Sequence, residues 1–81
     1  MRINFIEEED KILSFLLSRW LLKQYQKSKK LLLWWYMQQV NFKIREPKKD
    51  QIYYFRINKQ FRAWCYFEWD KLVVFRIDNH Q

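Results

Sequence analysis

The strictest constraint in this chain is a period-two alternation that runs from Ile52 to Asp78. One set of positions, Tyr53, Phe55, Ile57, Phe61, Ala63, Cys65, Phe67, Val73, Phe75 and Ile77, is almost wholly apolar. The interleaved set, Tyr54, Arg56, Asn58, Arg62, Trp64, Tyr66, Arg76 and Asp78, carries charge or a polar tip. Successive side chains of a strand point to opposite faces, so the pattern predicts an antiparallel meander of three strands with one face buried.

Loop length then fixes the register. A loop at Asn58-Lys59-Gln60 sets Ile57 opposite Phe61, Arg56 opposite Arg62 and Tyr54 opposite Trp64. A second loop at Trp69-Asp70-Lys71 sets Tyr66 opposite Val74, Trp64 opposite Arg76 and Arg62 opposite Asp78. A two-residue turn at Asp70-Lys71 would bring Arg76 beside Cys65 in the core, because a one-residue slip inverts a strand's faces. The expected open face therefore carries a row Arg56–Arg62–Asp78 beside a row Tyr54–Trp64–Arg76. Like charges directly opposite destabilise a sheet by about 0.2–1 kcal/mol. Two facing arginines with one acid for relief point to a face kept for an anionic partner; arginines splayed into solvent are the plain alternative.

The chain is short enough, at 81 residues, for a single domain over 1–81. Seven Phe, five Tyr and five Trp enlarge the area that so small a core can bury. The formal net charge of +7 favours nucleic acid, an acidic protein or an anionic membrane without choosing among them. A lone cysteine, Cys65, rules out an internal disulfide and reads as a small buried residue in a reducing compartment. The opening residues lack the pattern of a secretion signal, and the longest apolar run, Leu31 to Met37, is too short to span a bilayer, so a cytoplasmic protein without membrane attachment is expected. Glycine is absent, against roughly 7% in ordinary proteins. Turns are expected to rest on Pro47, Asn58 and Asp70, and phosphate- or dinucleotide-binding glycine loops are excluded. No small-molecule cofactor is expected.

Upstream of the meander, residues 2–6 suggest a short strand with Ile3 and Phe5 on one face. Glu7, Glu8, Glu9 and Asp10 suit a helix N-terminus, where negative charge is favourable. Ile12, Phe15, Leu16, Arg19, Trp20 and Lys23 then recur at helical spacing, widened by Leu13, Leu17, Leu21 and Tyr25. One helix over 7–36 would be about 45 Å long, so a helical hairpin with its break near Ser18 or Ser28 packs better, although the sequence leaves both open. Part of Leu31–Tyr36 should pack on the sheet and part should serve a partner. Val40 to Arg45 alternates as an extended segment, and Lys48-Lys49-Asp50 forms a basic loop after Pro47. The expected class is α+β: an N-terminal strand and a helix or helical hairpin packed on a C-terminal antiparallel meander.

The run Arg56-Ile57-Asn58-Lys59-Gln60-Phe61-Arg62, with Asp78-Asn79-His80 at the end of the last strand, resembles the RelE/ParE superfamily of bacterial toxins, nearest the HigB and RelE types. That resemblance implies a RelE-like fold and a toxin of a type II toxin–antitoxin pair. It implies a metal-independent endoribonuclease that cuts messenger RNA in the ribosomal A site, inhibits translation and is silenced by a cognate antitoxin. Arg62 matches the arginine that contacts the scissile phosphate, His80 the terminal histidine and Asp78 the acid before it. Asn79 stands where a tyrosine is frequent, and Arg56 is the nearest basic substitute for the lysines of the RelE type.

RNA can be cut without a metal when its own 2′-hydroxyl attacks the neighbouring phosphorus, if cations neutralise the developing charge and a group near neutrality moves protons. Arg56 and Arg62 are the expected clamp, His80 the proton carrier and Asp78 the group that orients either. Tyr54, Trp64 and Tyr66 are candidates for stacking an unpaired base. Lys43, Arg45, Lys48, Lys49 and Arg76 are candidates for backbone phosphates, where charge matters more than geometry. A ParE-like DNA gyrase inhibitor and a non-catalytic basic RNA-binding module are the alternatives.

Overall fold

The computed structural model describes residues 3–79. Its elements run β1 (Phe5–Glu8), α1 (Asp10–Ser18), α2 (Leu22–Leu33), β2 (Lys43–Ile44), β3 (Ile52–Arg56), β4 (Phe61–Glu68) and β5 (Lys71–Asn79). Short 3-10 turns at Met37–Val40 and Lys48–Asp50 lie on either side of β2. The class is α+β, as the alternation and the helical spacing predict. The meander is the centre of something wider: a five-stranded mixed sheet in the order β1-β5-β4-β3-β2, with β1 parallel to β5 and the other pairs antiparallel.

The β3–β4 register is the expected one, with Arg56 opposite Arg62, Tyr54 opposite Trp64 and Tyr53 opposite Cys65. The β4–β5 register needs a correction. The turn holds only Trp69 and Asp70, so Glu68 faces Lys71 and Tyr66 faces Val73 rather than Val74. A bulge then falls where Cys65 faces Val74 but Trp64 faces Arg76, which leaves Phe75 as the additional residue. Before the bulge Leu72 and Val74 enter the core. Val73 alternates with them onto the other face, opposite Tyr66, yet is buried as expected at 3% exposure, and half-buried Phe75 has its ring 5.7 Å from that of Tyr66. After the bulge Arg62–Asp78 and Trp64–Arg76 pair as expected.

The helices form a hairpin broken after Ser18, and Ser28 lies inside α2, where it is buried and donates to the Arg56 carbonyl at 3.0 Å. Both helices end alike. Leu21 N–H donates to Leu16 and Trp20 N–H to Leu17 after α1; Tyr36 N–H donates to Leu31 and Trp35 N–H to Leu32 after α2. This double closure requires a left-handed residue, ordinarily glycine. Here Trp20 and Trp35 take it at φ 59° and 73°, and Asn41, Gln51 and Trp69 also have positive φ. A side chain in that region costs about 1 kcal/mol, so a chain without glycine carries several small local strains.

Two N-terminal expectations are overturned. The strand is Phe5–Glu8, and Ile6 rather than Phe5 packs on the core, while Phe5 is exposed. Glu7 and Glu8 belong to that strand, and only Glu9 and Asp10 occupy the helix start. Glu8 accepts from the Tyr25 hydroxyl at 2.6 Å and from Lys29 at 3.0 Å, so α2 supplies the partners that hold this carboxylate against the sheet. The core gathers Ile3, Ile12, Leu16, Tyr25, Leu32, Phe55, Cys65, Leu72 and Val74 between the helical hairpin and the inner face. The open face of the sheet is left without a helical layer. No helix among the described residues is long and apolar enough to cross a membrane.

Candidate nucleic-acid interface

The open face is built from alternate residues of four strands. Lys43 on β2 stands opposite Tyr54 on β3, which stands opposite Trp64 on β4, which stands opposite Arg76 on β5. One step along, Arg56, Arg62 and Asp78 form the parallel row. Strand alternation thus gathers four cations, two aromatic rings and a single acid on one end of one face.

Arg62 is the most constrained of these groups. Its guanidinium carbon lies 4.8 Å from the Tyr54 ring centroid and 5.0 Å from that of Trp64, inside cation–π range for both. The two rings are 5.2 Å apart. Arg62 Nε is 4.0 Å from Asp78 Oδ1, close enough for charge attraction and too far for a hydrogen bond. Only 22% of the Arg62 side chain is accessible, and Arg62 Nε, Trp64 Nε1 and Asp78 Oδ1 are buried with no hydrogen-bond partner among the described residues. Ring faces and a neighbouring charge hold the guanidinium, and part of its hydrogen-bonding capacity stays unspent.

Tyr54 and Trp64, the candidates for stacking a base, also carry Arg62. Tyr66 was expected beside them. It lies beyond the bulge, half-buried against Phe75 and opposite Val73, among apolar neighbours rather than cations. Arg45 pairs with Asp50 at 3.3 Å and approaches the Trp64 ring at 5.7 Å, which places it at the rim with its charge partly answered. Lys48 and Lys49 are exposed on the 3-10 turn before β3. His80, the expected proton carrier, lies outside the described residues.

A cleft of about 240 Å³ opens on this end of the face, lined by Asn41, Lys43, Tyr54, Arg56, Asn58, Lys59 and Arg62. Asn41, Asn58 and Lys59 were not among the expected contacts. Asn58 shapes the β3–β4 loop: its side-chain oxygen accepts from the backbone N–H groups of Gln60 and Phe61, both at 2.8 Å. Its identity as a turn residue was a signal for the loop, and the period-two pattern already put it on the open face. Nothing in the sequence pointed to Asn41.

Among the described residues no group of three or more His, Cys, Asp or Glu is placed to hold a metal ion. Cys65 is fully buried, and burial pushes its thiol far above its ordinary value, so it is an inert core residue. No family model matches the chain, and no curated protein or solved structure matches it either. The functional reading therefore rests on the residues themselves.

Proposed function

We propose that this chain is an RNA-cleaving toxin of the RelE type, acting on messenger RNA in the ribosomal A site and silenced by a cognate antitoxin. The observation that carries the reading is the fixed guanidinium of Arg62, seated on Tyr54 and Trp64 and facing Arg56 across the strands. The likeness of the Arg56–Arg62 and Asp78–His80 runs to that superfamily supports it.

In the proposed reaction a 2′-hydroxyl loses its proton and its oxygen bonds to the adjacent phosphorus. The bond from phosphorus to the 5′-oxygen breaks, and that oxygen takes up a proton. The products are a 2′,3′-cyclic phosphate and a 5′-hydroxyl. Arg62 and Arg56 neutralise charge on the phosphoryl oxygens; because Arg62 is already fixed, little reorganisation remains to be made during reaction. Asp78 keeps Arg62 in place by charge, and His80 is the proposed carrier of the protons. Lys43, Lys59 and Arg76 hold the flanking backbone. The antitoxin is proposed to cover the exposed Leu13, Leu17 and Trp20 of the helical hairpin.

The test is messenger integrity in a translating cell-free extract. Added protein should yield fragments that begin with a 5′-hydroxyl and end in a cyclic phosphate, and Arg62→Ala should abolish them. Intact messenger with the wild-type protein would overturn the reading; RNA bound but left whole would identify a binding module instead.

A further inference from the structure

A second cleft, of about 380 Å³, lies on the other side of the β3–β4 hairpin, where α2 and the Met37–Val40 turn meet the loop. Lys27, Arg56 and Lys59 supply its charge, Gln39 an amide, and Leu31 and Val40 an apolar floor. Arg56, Asn58 and Lys59 line this cleft and the one on the open face alike, so the two meet around the hairpin tip. No carboxylate lines either of them.

Two hydrogen bonds hold the walls. The Ser28 hydroxyl donates to the Arg56 carbonyl at 3.0 Å, and the Asn58 amide donates to the Gln24 side-chain oxygen at 2.6 Å. These bonds use backbone and amide groups and leave the cationic side chains unengaged. Lys27, Arg56 and Lys59 have no ion-pair partner among the described residues, whereas Lys29 and Arg45 each have one and Lys71 has two. The cleft thus combines cations for a phosphate with aliphatic side chains and an amide for a base, at a size within the usual range of roughly 300–1,000 Å³ for ligand clefts.

We propose that this second cleft is a nucleotide subsite: a single RNA strand held on the open face turns around the β3–β4 hairpin and places its next nucleotide here, its phosphate on Lys27. The inference rests on the RNA reading above and adds that α2 belongs to the footprint. Binding is then length-dependent, because a short RNA fills the open face alone and a longer one reaches both clefts.

Fluorescence anisotropy with labelled single-stranded RNAs of about three and about eight nucleotides, over a salt series, tests this. Lys27 is exposed, so Lys27→Gln leaves the core untouched. Lys27→Gln should weaken the longer RNA by roughly 3-fold or more and reduce its log–log salt slope by about 0.7, the value of one single-strand phosphate, without changing the short RNA. Arg62→Ala should weaken both. Equal losses on both lengths with Lys27→Gln, or no loss on either, would overturn the subsite while leaving the RNA reading standing. Failure of the wild-type protein to bind either length would overturn the subsite, while the cleavage reading is decided separately in the translating extract.

Discussion

The two ends of the open face share β4 and β5 and answer charge in opposite ways. At the end near the β4–β5 turn, Lys71 is paired with Glu7 at 3.2 Å and Glu68 at 3.3 Å, and Phe75 and Tyr66 pack together. Past the bulge, Arg56, Arg62, Arg76 and Lys43 share one acid, Asp78, 4.0 Å from its nearest guanidinium nitrogen. A sheet that neutralises charge at one end has no mechanical need to concentrate it at the other. The contrast is what the proposed RNA site at the arginine end has to explain.

The largest expected effect separates the ends by substitution. Arg62→Ala should weaken single-stranded RNA binding by about 10-fold or more, the loss of a positioned guanidinium costing roughly 1.5–3 kcal/mol. Lys71→Ala should leave RNA binding unchanged at matched salt. Equal losses from the two would erase the distinction and reduce the face to general positive charge.

Alkali sharpens the same comparison. Burial raises the Cys65 thiol above its ordinary value of 9.0. Burial first, and then the hydrogen bond to Glu8, raises the Tyr25 hydroxyl above 10.0. Hydrogen bonds to Glu7 and Glu68 raise Lys71 above 10.5. In all three the folded state holds its proton more tightly than the unfolded state. Their stabilisation is therefore complete below the ordinary values and is lost as pH climbs through the raised ones. Urea denaturation should show stability falling from about pH 9, by at most about 1.4 kcal/mol per pH unit for each of the two buried groups, Cys65 and Tyr25, as it titrates in the unfolded state. Cys65→Ala should move the onset towards 10. Arginine stays charged throughout, so RNA affinity per folded molecule should hold at pH 9.5. A parallel loss of affinity would mean that the wrong end of the face had been chosen.

Replacing Arg56 by Thr removes a like-charge pair, which should stabilise the fold by about 0.2–1 kcal/mol while weakening RNA binding. Gains in stability and losses in binding from one substitution are the signature of a face kept for a ligand; a stability loss would show that Arg56 has a packing role instead. The smallest effect belongs to the paired end. Trp69 has φ 63° at the first central position of a two-residue hairpin turn, a place that favours glycine, and is 94% exposed. Trp69→Gly should add about 0.5 kcal/mol in thermal or urea unfolding and leave RNA binding alone.

The arginine end was legible from the sequence because strand alternation and a turn residue, Asn58, fix it within a single hairpin. The aromatic end was not. A three-residue loop and a two-residue turn followed by a bulge give the same pairing of Arg62 with Asp78, and Leu72, Val73 and Val74 are all apolar, so parity could not locate the extra residue. β1 was misread for a different reason. Glu8 sits in a strand because Tyr25 and Lys29, remote in sequence, satisfy it. A run of acids read locally signals a helix start. The helix break was narrowed to two serines and decided by packing: Ser28 is needed inside α2 to hold the hairpin carbonyl of Arg56. The holding of Arg62 by two rings followed from the cross-strand pair Tyr54–Trp64, yet the pattern alone assigned those rings to bases.

The most direct measurement is NMR observation of the Arg62 Nε and Trp64 Nε1 protons during titration with a single-stranded RNA. Both nitrogens are buried and lack a hydrogen-bond partner among the described residues. If the arginine end clamps RNA, these two signals and the backbone amides of β3 and β4 around Arg56 and Arg62 shift together at saturation, while β1 and the Trp69 turn stay still. Shifts confined to the helices or to β1, with Arg62 and Trp64 unmoved, would contradict the account.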